Sequence, residues 1–251
     1  MDRNRLKLNE GKTECLICPA KKITDKQSIK ISLNGNDINL SSEARNLGVL
    51  FDDNLTLVKH VNLIIQSMYL QIKRLGHCRK FLSLNAAKTV AVTQILTRLD
   101  YCNSILCNSN ESLLDRLQIA MNNVARVVLK RYRCDSATEM LKTLHWLPVK
   151  YCIYFKLSML CFGYFDGSLP KYLADVLEIY TPARCLRSSC DTRIFVTHVM
   201  NLRTVGERSF KLNAPKIWNS IPKEIRYCDN KILFKRKLKT HYFQLAFPES
   251  V

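Results

Sequence analysis

From Leu57 onward the apolar residues fall into a helical rhythm: Leu57, Val61, Ile64, Ile65, Met68, Ile72 and Leu75 keep to spacings of three and four. Such a stripe is one face of an α-helix, and a chain that repeats it has to bury that face against other helices. Gly76 is expected to stop or loosen this first helix. A second helix is expected over about 85–106 and a third over about 111–130. On the third, Leu113, Leu117, Ala120, Val124 and Val127 or Val128 form the stripe, and Asp115, Asn122, Arg126 and Lys130 lie opposite. Residues 136–144 read as a short helix, and Pro148 can open another running to about Phe165. Asp166-Gly167-Ser168 is a turn, after which Pro170 opens a short helix to Tyr180. Residues 183–204 are mixed, with Arg184, Arg187, Arg193 and Arg203 and a strand at Ile194-Phe195-Val196. Residues 206–219 and 230–246 read as helices.

The N-terminal end differs. Residues 14–18, "ECLIC", and 29–40, "IKISLNGNDINL", read as short strands, with Asn34-Gly35 as a hairpin turn between them. Residues 46–51, "NLGVLF", read as one more strand. The expected fold class is therefore mainly α: a small antiparallel β portion over 1–53, a helical bundle over 54–133 and a helical extension over 134–251, with a modest boundary near 131–136.

Lys and Arg number 39 against 21 Asp and Glu, a net charge of +18 spread along most of the chain. A folded body this basic repels itself unless a polyanion screens it, and nucleic acid releases counterions when its phosphates are neutralised. The eleven cysteines are odd in number and irregular in spacing. Cys102, Cys152 and Cys161 sit in apolar helical patterns and read as reduced, buried thiols. No run of eighteen apolar residues occurs, and the N-terminus, "MDRNRLKLNEGKTE", is too polar for a signal peptide. These features lead to an expectation of an intracellular protein with no membrane span.

Asp52-Asp53 in "GVLFDDNL" (48–55) raises the question of a polymerase metal site. Two-metal chemistry needs carboxylates clamping ions about 3.5–4 Å apart, a further carboxylate from another strand and a cradle for triphosphate. The other reading is a turn, with the pair capping a helix that starts near Asn54 or Leu55.

The surrounding blocks bear on this choice. "NEGKTE" (9–14) resembles the late palm segment of the reverse transcriptases of non-LTR retrotransposons, which reads Asn, two variable residues, Lys-Thr-Glu. "RNLGVLFDDNLTLVKHV" (45–61) is similar to the strand, turn and helix that leave the palm. Next come "RLDYCNSIL" (98–106), "LDRLQIAMNNVARVV" (114–128), "LHWLPVKYCIYFK" (144–156), "PKYLADVL" (170–177), "LRSS" (186–189), "ERSFKLNAPKIWNSIP" (207–222) and "FKRKLKTHYF" (234–243). In this order they resemble the C-terminal region of LINE-type enzymes over nearly the whole chain. The family's catalytic pair comes after an aromatic and one variable residue and precedes the Lys-Thr-Glu block. Here Asp52-Asp53 comes after that block, Leu50 holds the aromatic's place, and the matching family position is a structural Asp. The resemblance thus implies palm edge, thumb and extension without catalytic carboxylates, on a chain beginning after the fingers and catalytic palm. It implies grip on a template–primer duplex and no bond-making.

Three basic groups carry that expectation: Lys73, Arg74, Arg79 and Lys80; Arg126, Lys130, Arg131 and Arg133; and Lys231, Lys235, Arg236, Lys237 and Lys239, backed by Phe234, Leu238 and Tyr242. From these, Lys73, Arg74, Arg79, Lys80, Arg126, Lys130, Arg131, Lys235, Arg236 and Lys239 are the expected contacts to RNA or DNA. Contacts of this kind read phosphates, not base edges. No catalytic residue, cofactor or metal is expected. Cys15-x-x-Cys18 lacks a second pair, and Cys185-x4-Cys190 with His198 is a looser candidate. His145-Trp146 reads as a helix junction, and Asp100-Tyr101-Cys102-Asn103 as a helix end where Tyr101 and Asn103 satisfy buried polar groups. The other readings are a protein-interaction module, with a palm-containing polypeptide as partner, and a non-functional relic.

Overall fold

The computed structural model describes residues 9, 13–18, 31–33, 35–38, 40–181, 192–198 and 205–248. The chain divides into two compact units, 1–63 and 64–251.

In the first unit three two-stranded sheets form. β1 (Cys15–Leu16) pairs in parallel with β4 (Leu40–Ser41), β2 (Ile31–Leu33) antiparallel with β3 (Asn36–Ile38), and β5 (Glu43–Asn46) antiparallel with β6 (Val49–Asp52). The expectation of antiparallel pairing holds for the two hairpins and not for β1–β4. Leu33 pairs with Asn36, and Gly35 between them takes φ +84°, as a tight hairpin turn requires. The single strand expected over 46–51 is instead a second hairpin. Leu47 and Gly48 take φ +46° and +84° and reverse the chain, leaving Asn46 opposite Val49. Gly48 accepts this conformation freely, whereas Leu47 adopts it with its side chain 83% exposed.

Asp52 ends β6 and organises the turn into the first helix. Its carboxylate accepts hydrogen bonds from the Asn54 N–H at 3.2 Å, the Thr56 N–H at 2.9 Å, the Leu57 N–H at 2.9 Å and the Thr56 hydroxyl at 3.0 Å. In this turn Leu55 and Leu57 have positive φ, so α1 begins at Val58 and not near Asn54. Asp53 accepts from the Asn54 amide at 2.8 Å. Burial works against the Asp52 charge, but the N–H groups of Thr56 and Leu57 and the Thr56 hydroxyl outweigh it and hold its pKa below the ordinary value. His60 in the first turn of α1 accepts from the Leu50 N–H at 3.4 Å, and burial, then Arg45, lowers its pKa.

α1 (Val58–Cys78) runs straight through Gly76, where open space surrounds the backbone. The expected second helix is broken into α2 (Leu84–Val90), a π-helical segment over Ala91–Leu96 and α3 (Thr97–Asp100). The hydroxyls of Thr89, Thr93 and Thr97 donate to the carbonyls of Asn85, Thr89 and Thr93, competing with the regular ladder there. The helix ends at Cys102, which has φ +52°, and residues Asn103–Leu106 form a 3₁₀ turn. α4 (Glu111–Leu129) buries Leu113, Leu117, Ala120, Val124 and Val128, so Val128 and not Val127 completes its stripe. α5 (Ala137–Leu144) is capped by the Ser136 hydroxyl. Residues 131–136 join α4 and α5, which pack together inside the second unit.

α6 (Val149–Phe165) is apolar almost all round and packs against α4, α8 (Phe210–Asn219) and α10 (Lys231–Ala246). Pro148 offers no side-chain cap, and Gln118 on α4 supplies one by accepting the Val149 N–H at 2.8 Å. α7 (Lys171–Ala174) stops well before the expected Tyr180. The chain there pairs instead: Ile179 bridges Phe195, with Tyr180 N–H on the Ile194 carbonyl at 2.8 Å and Val196 N–H on the Glu178 carbonyl at 2.8 Å. The other edge of Phe195 is closed by the Asn219 amide, which accepts from its N–H at 3.0 Å and donates to its carbonyl at 2.8 Å. α9 (Lys223–Arg226) leads into α10. Trp218, Phe195, Phe162, Phe234 and Tyr242 form the centre of this core, with Phe162 and Phe234 stacked at 4.3 Å.

Because the folded-state pKa of Asp52 lies below that of the unfolded chain, its carboxylate stabilises the fold above the ordinary carboxylate range. That contribution fades as pH falls from there through the depressed value. Asp52→Ala is therefore expected to cost about 1–2 kcal/mol at neutral pH. The gap between wild type and variant closes well below the ordinary Asp pKa of about 3.9. Thermal melting across pH, with and without magnesium, checks this, and magnesium is expected to leave the gap unchanged.

Candidate nucleic-acid interface

The expected basic residues fall into distinct structural positions. Lys73 and Arg74 are exposed on α1, and Lys80 is exposed in the 3₁₀ turn Arg79–Phe81. Arg79 is different. It is only 8% exposed, and its guanidinium donates to the Val128 carbonyl from Nε at 2.9 Å and Nη2 at 2.7 Å, and to the Leu82 carbonyl at 2.8 Å. Val128 lies in the last turn of α4, where carbonyls have no partner within the helix. Arg79 is thus a cap for another helix and is withdrawn from the set of surface cations. In that role it ties the segment 79–82 to the end of α4. The first two basic groups, distant in sequence, meet there.

At that end α4 closes with Lys130 in the left-handed conformation, φ +53°, its N–H on the Val127 carbonyl at 3.3 Å and the Arg131 N–H on the Arg126 carbonyl at 3.0 Å. Lys130, Arg131 and Arg133 are exposed or nearly so, and Arg126 is half-buried with Nη1 on the Asn123 amide oxygen at 3.0 Å. Two aromatic rings stand out among these cations: Phe81 beside Lys80 and Tyr132 between Arg131 and Arg133, each 79% exposed. The Lys80 ammonium lies 4.8 Å from the Phe81 ring centre.

The third group divides around α10. Arg236 and Lys237 line a shallow depression with Pro222 and Glu224. Lys235 and Lys239, one turn apart, instead line a groove of about 570 Å³ together with Lys88 of α2 and Lys156 of α6. Leu96, Leu99, Met121, Trp146 and Phe155 supply apolar lining, and Asp100, Asn103 and His145 add polar groups. Lys88 and Lys156 were not among the expected contacts. Lys156 has a sequence signal, a charge within the largely apolar run 151–165, but nothing in the spacing brings it to Lys235 or Lys88. Among the described residues, none of Lys73, Arg74, Lys80, Lys130, Arg131, Lys235, Arg236 and Lys239 is held in an ion pair.

His145 closes α5 in the left-handed conformation, and Trp146 and Leu147 are each 7% exposed, as a helix junction requires. Tyr101, 53% exposed, hydrogen-bonds the half-buried Cys102, whereas the expectation for Asn103 is corrected: it is buried, and its amide oxygen has no partner among the described residues. Of the cysteines named in apolar helical patterns, Cys161 is buried and Cys102 and Cys152 are half-buried. Burial pushes the thiols of Cys107 and Cys152 up to about 12, which keeps them protonated and unreactive. Cys185 and Cys190 lie outside the described residues, and His198 stands 4.0 Å from Glu178. Among the described residues no three His, Cys, Asp or Glu side chains cluster as a metal site would need. No helix there is long and apolar enough to cross a membrane.

Compared with protein-family models, curated proteins and solved structures, the chain matches none of them.

Arg79→Met is expected to lower stability by about 1–3 kcal/mol, because the Val128 carbonyl loses both donors. Lys73→Met, on the exposed face of α1, is expected to stay within about 0.5 kcal/mol. Urea unfolding of both variants separates the cap from a surface cation.

Proposed function

We propose that the chain binds nucleic acid with little regard to sequence, through phosphate contacts along its helical unit. The observation that carries this is the set of cations at one end of that unit, Lys80, Lys130 and Arg131, held in no ion pair with a described residue, in a chain of net charge +18. Like charges gathered this way cost stability and have no structural partner to offset the cost, so an external polyanion is the economical explanation. Phe81 and Tyr132, exposed among these cations, suit stacking on bases, which is tolerant of sequence. The order of blocks that resembles a LINE-type reverse transcriptase supports the same reading, with these helices in the place of a thumb and its extension. The role is grip. The Asp52 carboxylate is committed to the turn before α1, so primer extension on an RNA template with magnesium is expected to give no incorporation above background.

The test is a salt titration of binding by fluorescence anisotropy on two duplexes of unrelated sequence. Log affinity should fall linearly with log salt by about 0.9 per phosphate contact. Replacing Lys80, Lys130 and Arg131 with Gln should flatten the slope by up to about three, equally on both duplexes. No binding at low salt would overturn the reading and leave the helical unit as a protein-interaction module. An unchanged slope in the triple variant would remove this end of the unit from the interface.

A further inference from the structure

Phosphate contacts need only exposed charge, and the groove beside α10 holds more than that. Four lysines from three elements, Lys88, Lys156, Lys235 and Lys239, surround it. Its volume, about 570 Å³, is that of a ligand site and not of a packing gap. Trp146 and Phe155 with Leu96 and Leu99 give it apolar walls. Two further groups in the wall are acceptors. Asp100 is exposed at its rim, and crowding by the wall raises its pKa against the opposing charge of Lys156. Asn103 is 3% exposed, and its amide oxygen has no donor among the described residues. A buried, unpaired acceptor of this kind is costly and calls for a partner.

These three demands narrow the occupant. The lysines ask for an anion, the aromatic and leucine walls for a flat apolar face, and Asn103 and Asp100 for an N–H donor. A bare phosphate has no N–H, and an acyl chain has no donor edge. A nucleotide has all three: phosphate, a stacking face, and amino or imino groups on the base. We infer that the groove seats one unstacked base of a single strand, with the phosphates on either side held by the surrounding lysines. A duplex keeps its bases stacked and cannot enter a concave groove, so single strands are the preferred ligand here. The inference rests on the nucleic-acid reading above and adds a second, different contact to it.

The full chain is titrated with two strands of equal charge: ten abasic deoxyribose phosphates, and the same strand with a single 2-aminopurine at its centre. The base-bearing strand is expected to bind about tenfold tighter, the effect of one stacked base, with a change in 2-aminopurine emission on binding. Asn103→Leu, with melting measured to confirm folding, should cut the ratio of the two affinities to about one third or less. Val92→Trp is the second variant. Val92 is 40% exposed on the lip of the groove, so the substitution is tolerated by the fold and should remove the advantage of the base by filling the space. Equal, salt-sensitive binding of both strands overturns the base seat and leaves the phosphate reading intact. Failure of strands and duplexes alike at low salt overturns both. Displacement of the base-bearing strand by free adenosine monophosphate or by an acidic, aromatic peptide at lower concentration than by the unlabelled strand assigns the groove to that ligand and overturns the proposal.

Discussion

Helix α6 carries apolar side chains around nearly its whole circumference, so burying it takes partners on every side. α4, α8 and α10 provide them, and the rest of the second unit is arranged by that requirement. α8 brings Trp218 against Phe165, with ring centres 5.3 Å apart, and α10 brings Phe234 onto Phe162 and Tyr242 onto the Ser158 hydroxyl at 2.8 Å. Each partner turns an apolar stripe inward and leaves its charged face outward. The basic faces of α10 are thus a consequence of how its three buried residues, Phe234, Leu238 and Tyr242, are spaced.

Closing such a bundle strands backbone groups at helix ends and at the short pairing of residues 178–180 with 194–196. Side chains from distant positions satisfy them. Gln118 caps α6, Arg79 caps α4, and Asn219 completes the hydrogen bonding of Phe195. Arg193 and Arg226 go further. The Arg193 carbonyl accepts from Trp218 Nε1 at 2.8 Å and Arg226 Nη1 at 2.6 Å, while Arg193 Nη1 donates to the Arg226 and Cys228 carbonyls at 2.9 and 3.2 Å. This knot fastens the segment around Phe195 to the end of α9. Each guanidinium meets several carbonyls at once, which fixes geometry as well as energy.

Helical period was the legible part of the sequence. The stripes of α1 and α4, the turn at Gly167, the helix after Pro148 and the final helix stand where their spacing put them, because those features are local. Breaks set by backbone conformation were not legible. Leu47, Leu55 and Cys102 take positive φ although nothing in their chemistry favours it, and they end or delay elements that periodicity alone would extend. The π segment after α2 belongs to the same class. The basic groups were legible as charge and not as position. Arg79 and Lys80 are neighbours in one basic run, and the run does not say which turns inward, yet one is buried against α4 and the other faces water. Lys88 and Lys156 join Lys235 and Lys239 only because α2, α6 and α10 converge. Spacing along one element cannot encode that.

The division of labour between the two kinds of cation comes from their chemistry. Arg79, Arg193 and Arg226 use the five-donor fork of guanidinium to close carbonyls inside the protein, where a lysine would satisfy fewer and lose more on desolvation. The cations around the groove are all lysines. An ammonium on a flexible stem is a point charge that can track a phosphate through different backbone conformations, without the bidentate geometry by which arginine selects a base edge. Under the proposed reading, a site holding a strand of any sequence would gain from that tolerance. On that proposal, selectivity for a nucleotide over other anions would come from elsewhere in the groove, from the aromatic walls and from the Asn103 amide oxygen, which has no partner among the described residues.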